Sequence, residues 1–494
     1  EGFAEVADDC LDTDPSAHPG AADVWYDGID SDCAGDNDYD ADLDGHASAL
    51  YGGDDCDDTL PFVNPGREEV CDNGLDDDCD GTPSGCAPWG DANAADAWAR
   101  YPGPVRAGEV GMALSAAGDL DGDGLDDILV GAPGMAGGSG TAAGAAYLVP
   151  GGRDGTTRID RLGTRLVGDG MADRLGAAVS GVGDANGDGM LDLLVGAPGS
   201  ALGGAEAGAA YLWLGPATVS IGLSAVDHAL IGPIGAGAGC AVAGPGDLDG
   251  DGYADLLVGS RAGIVWQVDR PRAAAAGLAE TAETRFEGDA SCAAGSVIAE
   301  AGDLDGDGLP DIIMAGPTCA GGRGRAWVFL GATSGTRSFD DADSILTGNT
   351  PGDEAFASLD GATDGDGDGY AEVWAGVPGE DAGATDAGAA MRFDAPLASS
   401  ITAGAADAAL LGMDPGGGAG AAIAWGGDVQ DDGMPDLLIG APGTDADASD
   451  DGVAWFIAGP VSGTVPLPGT AGARIRGSTG GSAAGTSVLF PGDM

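Results

Sequence analysis

Six loops in the chain place carboxylates at a spacing suited to one task. An Asp-x-Asp-x-Asp-Gly-x-x-Asp pattern, or a close variant, begins at Asp119, Asp184, Asp247, Asp303, Asp364 and Asp428. In such a loop the side chains at positions one, three, five and nine, with the carbonyl of position seven, can converge on one hard cation, which takes six to eight oxygens at about 2.3–2.6 Å. The sets assigned in this way are Asp119, Asp121, Asp123, Leu125 and Asp127; Asp184, Asn186, Asp188, Met190 and Asp192; Asp247, Asp249, Asp251, Tyr253 and Asp255; Asp303, Asp305, Asp307, Leu309 and Asp311; Asp364, Asp366, Asp368, Tyr370 and Glu372; and Asp428, Gln430, Asp432, Met434 and Asp436. The first, third and fourth sets are all-aspartate at their side-chain positions. Asn186 substitutes a neutral oxygen, Glu372 lengthens one arm, and the sixth loop has Gln430 and lacks the position-four glycine, so weaker binding is expected there.

Four carboxylates held this close repel one another until a cation converts them into a clamp. Calcium is the expected ion, against a metal-free Asx-rich turn. An EF-hand would need a 12-residue loop leading into a helix. Here position nine runs directly into Ile-Leu-Val or Leu-Leu-Val, which favours a hairpin between two strands.

The loops recur at intervals of 65, 63, 56, 61 and 64 residues, and a further interval of 65 reaches Asp493. Eight residues ahead of the loop stands Gly111, Gly176, Gly239, Gly295, Gly420 or Gly485, with Phe356 in the remaining unit. Beyond it comes Gly131-Ala132-Pro133, Gly196-Ala197-Pro198, Gly376-Val377-Pro378 or Gly440-Ala441-Pro442. Each unit reads as four short strands: A, such as Gly176 to Ser180; B, such as Leu193 to Gly196; C, such as Ala210 to Leu214 or Ala326 to Leu330; and D, such as Arg165 to Gly168 or Arg474 to Gly477. Four strands in about 60 residues, repeated seven times, describe an all-β, seven-bladed β-propeller over residues 92–494. Ala99 to Gly103 matches a D strand, so the region is expected to open with the strand that completes a last blade whose B and C strands lie beyond residue 494.

Residues 1–91 differ in kind, with 27 acidic side chains against one Arg. That is too much repulsion for an unaided core, so disulfides and cations are expected to hold the region. Two copies, about 8–35 and 54–81, superimpose with a shift of 46 residues. Their matched cysteines suggest Cys10–Cys33 and Cys56–Cys79, with Cys71–Cys86 as a third bridge among fifteen possible connectivities. Between the copies, Asp40, Asp42 and Asp44 alternate ahead of Gly45 and form a further candidate calcium site. His18, His46 and Trp25 are the candidates for copper, which needs nitrogen or softer ligands. Farther on, Cys292 and Cys319 flank one A–B hairpin and are expected to pair, which leaves Cys240 free and buried in an A strand.

The net charge of −64, with 18 arginines and no lysine, excludes nucleic-acid binding and any chemistry needing a lysine. A hydrophobic content of 43% argues for a folded chain despite 95 glycines. No apolar run reaches the ~18 residues of a membrane-spanning helix. Disulfides imply an oxidising compartment, and a secreted or cell-surface protein is expected.

The glycine, the acidic loop and the Gly-Ala-Pro segment of residues 97–494 resemble the FG-GAP repeat family, the propeller of integrin α-subunit headpieces and of many bacterial secreted proteins. The resemblance implies seven blades with calcium in the A–B hairpins. The paired Asp-Asp-Cys…Pro-Gly…Asp-Cys-x-Gly pattern of the first 80 or so residues resembles the metal-binding repeat of bacterial surface proteins, a family that includes a methanotroph copper protein. The function expected is an extracellular, non-catalytic calcium-binding scaffold for a protein or glycan partner. A secreted polysaccharide-acting enzyme and a calcium-bridged structural surface protein are the alternatives.

Overall fold

Small residues open each repeat because the inner strands crowd toward a common axis, and β-branched and aromatic residues follow where sheets pack face to face. A computed structural model describes residues 91–494 other than 98, 137–141, 154, 218, 272, 362, 431–432, 446–450, 460 and 492–494. Before residue 91 it describes 17–18, 21, 25–31, 33–35, 37–42, 44–61, 63–65 and 79. Two units, Glu1–Gly90 and Asp91–Met494, make their contacts chiefly within themselves.

The larger unit is an all-β propeller with six five-stranded blades among the described residues. In the first blade, Leu114–Gly118, Asp127–Ala132, Ala145–Val149 and Arg165–Val167 form an antiparallel A-B-C-D meander. A fifth strand, Ile221–Gly222, then adds in parallel to strand D. The four-strand expectation missed this element. Each fifth strand comes from the following unit, just ahead of that unit's own D strand: Ala275–Gly277 joins His228–Ile231, Gly335–Ser338 joins Thr284–Glu287, Ser400–Thr402 joins Ser344–Thr347, and Gly463–Pro466 joins Ala408–Leu411.

Asp91–Asn93 plays the same part for the sixth blade by lying parallel to Ala473–Arg476, so the first strand of this unit seals its last complete blade. Strand D at Ala99–Arg100 is therefore preceded by a fifth-strand segment, and it pairs with Gly155–Thr156 in a separate two-stranded sheet. The A strand expected at Gly176 to Ser180 runs instead from Val179 to Gly183. Gly176 adopts φ +81° and belongs to the turn that enters the strand.

Side chains of adjacent blades interdigitate. Leu129, Leu148 and Leu166 of the first pack with Leu193, Val195, Tyr211 and Trp213 of the second. Close approach of the inner strands explains the two glycine landmarks. A Cβ on Gly131 would lie 2.2 Å from the Gly176 carbonyl oxygen, one on Gly196 2.1 Å from that of Gly239, and one on Gly440 1.9 Å from that of Gly485. The glycine next to the end of strand B of one unit thus meets the glycine before strand A of the next, with no room for a side chain. The starts of the A strands, including Ala113, Ala178, Val242, Val297, Leu359 and Ala422, line a central cavity of about 330 Å³ together with Ser487 and Val488 of the seventh repeat.

Cys292 and Cys319 are disulfide-bonded. Cys240 is free, in Ala238–Gly246, and burial pushes its thiol up to about 11. It is free in an A strand, as expected, and half-buried where it borders the cavity. In the smaller unit Cys56–Cys79 is formed and Cys33 is disulfide-bonded. Cys10, Cys71 and Cys86 lie outside the described residues, as do Asp432 and Asp493.

Candidate metal centres

Each propeller loop is braced by its own aspartates. Asp119 at position one takes the N–H groups of Gly122 and Asp123 on Oδ1, at 2.7 and 3.0 Å, and that of Gly124 on Oδ2 at 3.0 Å. Asp121 Oδ1 accepts from Asp123 N, and Asp123 Oδ1 accepts from Leu125 N. The same bonds recur around Asp184, Asp247, Asp303 and Asp364. Gly122 and Gly124, at φ +80° and +90°, supply the left-handed turns this winding requires. In the sixth loop the described part retains the bond from Gly433 N to Asp428 Oδ2.

The ninth position is a different kind of group. Asp127, Asp192, Asp311 and Asp436 are fully buried at the first residue of strand B, and Asp255 and Glu372 are 2% exposed. Asp127 Oδ2 accepts from Leu120 N at position two, and Oδ1 from Gly151 N past strand C. Asp192, Asp311 and Asp436 make the equivalent pair of bonds. This acid staples the loop to two strands. Burial raises Asp192, Asp255 and Asp311 to about 6 and Glu372 to about 7.

Oxygens of Asp119, Asp121 and Asp123 lie within 4.8 Å of one another, as do those of Asp364, Asp366, Asp368 and Glu372. All donors are oxygens, the set that suits a hard cation. Neighbouring loops touch: Ala254 N donates to the Asp184 carbonyl and Ala371 N to that of Asp303. The Tyr253 ring covers Gly187, and the Tyr370 ring covers Gly306. Position seven therefore also carries a side chain that couples one loop to the loop before it.

The third loop is modified by a residue that the repeat pattern did not single out. Arg270 pairs with Asp251 and Asp269 and stacks 4.1 Å over Tyr253, placing a guanidinium beside a carboxylate assigned to the cation. The inner strands hold another unanticipated feature, Glu300 and Asp360. Burial raises both to about 7, the Asp360 charge raises Glu300 further, and Asp360 accepts from the backbone of Trp425 and Gly361, which opposes its own shift. Neither is among the residues lining the central cavity.

In the smaller unit Asp40, Asp42 and Asp44 are joined by carboxylates from farther along the chain. Asp40 and Asp42 cluster with Asp58, and Asp42 and Asp44 with Asp55. Asp55, Cys56 and Cys79 also lie together, but both sulfurs are in the disulfide. His46 Nδ1 faces Asp54 Oδ1 at 3.2 Å, and in the propeller His228 begins the D strand His228–Ile231 and its Nδ1 meets the Ala273 carbonyl.

The molecule is thus a propeller with acidic A–B hairpins, joined in one chain to a disulfide-bonded acidic unit. Its sequence matches the FG-GAP repeat at residues 110–149 and the FG-GAP-like repeat at 184–258. The Cu-binding MopE metal-binding motif matches at 9–39 and 55–83. Human integrin alpha-IIb is 36% identical over 151 residues, 27% of this chain and 14% of the integrin. Drosophila melanogaster integrin alpha-PS2 is 34% identical over 178 residues, 34% of this chain and 12% of the integrin. The matched segments are thus a small part of those relatives. Among solved structures, the WD40 domain of Toxoplasma gondii coronin aligns with 75% of this chain and 71% of its own at TM-score 0.39 and 8% identity, too loose a likeness to bear on fold or function.

Proposed function

We propose that this protein is a secreted or cell-surface binding scaffold whose seven-bladed propeller is stabilised by calcium in its A–B hairpins and presents its loops to a protein or glycan partner. The observation that carries this is the repeated bracing of the acidic loops, which commits position one to the backbone and, in the first loop, leaves the second oxygens of Asp121 and Asp123 for a ligand. The residues that would hold the ions are positions one, three, five, seven and nine of each loop. A bound divalent cation would neutralise carboxylates that otherwise repel across a few ångströms. The similarity to integrin α chains supports a binding role, and the partner is a proposal of chemistry alone: a neutral or cationic surface complementary to a strongly acidic one.

Catalysis has less support. Glu300 and Asp360 are the carboxylates most displaced outside the loops among the described residues, but they belong to inner strands and are not among the residues that line the cavity. Thermal unfolding in millimolar calcium and then in excess chelator tests the proposal. A fall in Tm restored by calcium and not by magnesium is the expected result, and an unchanged Tm would refute it.

A further inference from the structure

The loop between the two N-terminal repeats is wound like the propeller loops. Asp44 N donates to Asp40 Oδ1 at 3.1 Å and to Asp42 Oδ1 at 3.2 Å, Gly45 N to Asp40 Oδ2 at 3.1 Å, and His46 N to Asp44 Oδ1 at 2.9 Å. These are the bonds that positions five, six and seven make in the loop at Asp119. Asp40, Asp42 and Asp44 are therefore positions one, three and five, and position nine falls on Ser48, which has no carboxylate.

The second repeat supplies what Ser48 lacks. In the propeller the ninth acid takes the N–H of position two. Here the N–H of Ala41, the position-two residue, donates to Oδ1 of Asp58 at 2.9 Å. Ser48 bridges to Asp55 through the backbone, with Asp55 N bonded to the Ala47 carbonyl and Ala49 N to that of Asp55. This brings Asp55, 1% exposed, to Asp42 and Asp44. Asp55 Oδ1 accepts from Asp57 N, but its Oδ2 is buried with no hydrogen-bond partner. A buried carboxylate oxygen without a donor is costly unless a cation meets it.

We propose that Asp55 and Asp58 of the second repeat complete a cation site begun by Asp40, Asp42 and Asp44, so that one hard divalent ion ties the second repeat to the segment between the copies. The all-oxygen donor set selects calcium over copper. The choice of calcium shares its chemistry with the propeller proposal, but the site stands on its own residues.

The test counts calcium bound per chain by equilibrium dialysis of the full-length protein and of Asp42→Asn, Asp55→Asn, Asp54→Asn and Asp121→Asn. Asp42→Asn and Asp55→Asn should each lose one ion, and Asp54→Asn, an exposed neighbour, none. A full complement in Asp55→Asn overturns the proposal. Asp121→Asn reports on the propeller separately: if it loses an ion while Asp55→Asn does not, only the N-terminal site fails, and if the unaltered chain binds no calcium, both fail. Hydrogen exchange on the unaltered protein removes dependence on variant folding. Calcium should slow exchange at residues 40–48 and 53–58 together, and protection confined to 40–48 would refute the shared site.

Discussion

In the propeller, the acid that staples each loop to its surroundings belongs to the loop itself and begins the next strand. In the N-terminal unit the corresponding bond, to Ala41 N, comes from Asp58, seventeen residues away in the second repeat. One winding of backbone is thus anchored in two ways. Behind the propeller loops stand layers such as Leu193, Val195 and Trp213, packed between sheets. The N-terminal unit has few large apolar groups among its described residues, chiefly the stacked Tyr26 and Tyr51, and relies on cross-links. A local motif can place ligands in either setting, but the dependence of the fold on the cation should differ.

The largest expected effect separates the two units. Reductant and chelator together should abolish protection from hydrogen exchange in residues 37–65, while the propeller still unfolds cooperatively at a Tm lowered by on the order of 10 °C or more, through loss of several bound ions. Simultaneous collapse of both units would break the comparison.

Next, the two classes of loop acid should respond differently. Asp127→Ala strips buried partners from Leu120 N and Gly151 N and should destabilise the propeller by roughly 2–4 kcal/mol even in chelator. Asp121→Asn should cost little in chelator but shift the calcium midpoint to higher concentration. Urea unfolding with and without calcium measures both, and equal effects in chelator would show that the ninth acid is no staple.

A smaller effect concerns pH. The carboxyls of Glu300 and Asp360 are raised to about 7 in the fold, so the native state holds protons that the unfolded chain has released. Stability measured in chelator should therefore fall as pH rises from about 4.5 to 7 and level off above it. The ninth-position acids, raised by burial to about 6 or 7, add to that slope, so Glu300→Gln should lessen it without removing it, and an unchanged slope would remove Glu300 from the account. Least of all, Arg270→Ala should tighten calcium binding at the third loop a few-fold by removing the guanidinium from Asp251, read as a lower calcium midpoint with little change in Tm.

Much of this was legible in the chain because it repeats. Spacing alone gave the hairpin loops, the B and C strands and the Cys292–Cys319 bridge, since a hairpin must bring its two ends together. The parallel fifth strand escaped because these segments, such as Ile221–Gly222 and Gly335–Ser338, are only two to four residues long, too short to show an alternation. Arg270, Glu300 and Asp360 escaped because they depart from the repeat, and a repeat-based comparison discounts departures.

The sequence by itself determined where backbone must turn and where oxygens gather, because glycines at left-handed positions and alternating aspartates act within nine residues. Tertiary structure decided which carboxylates serve together. Only the fold could bury Asp127 against Gly151, bring Gly131 against Gly176, and carry Asp55 and Asp58 to a loop whose ninth residue is a serine. Those contacts join residues from different strands, blades or repeats, and their energetics depend on burial, which no local spacing encodes.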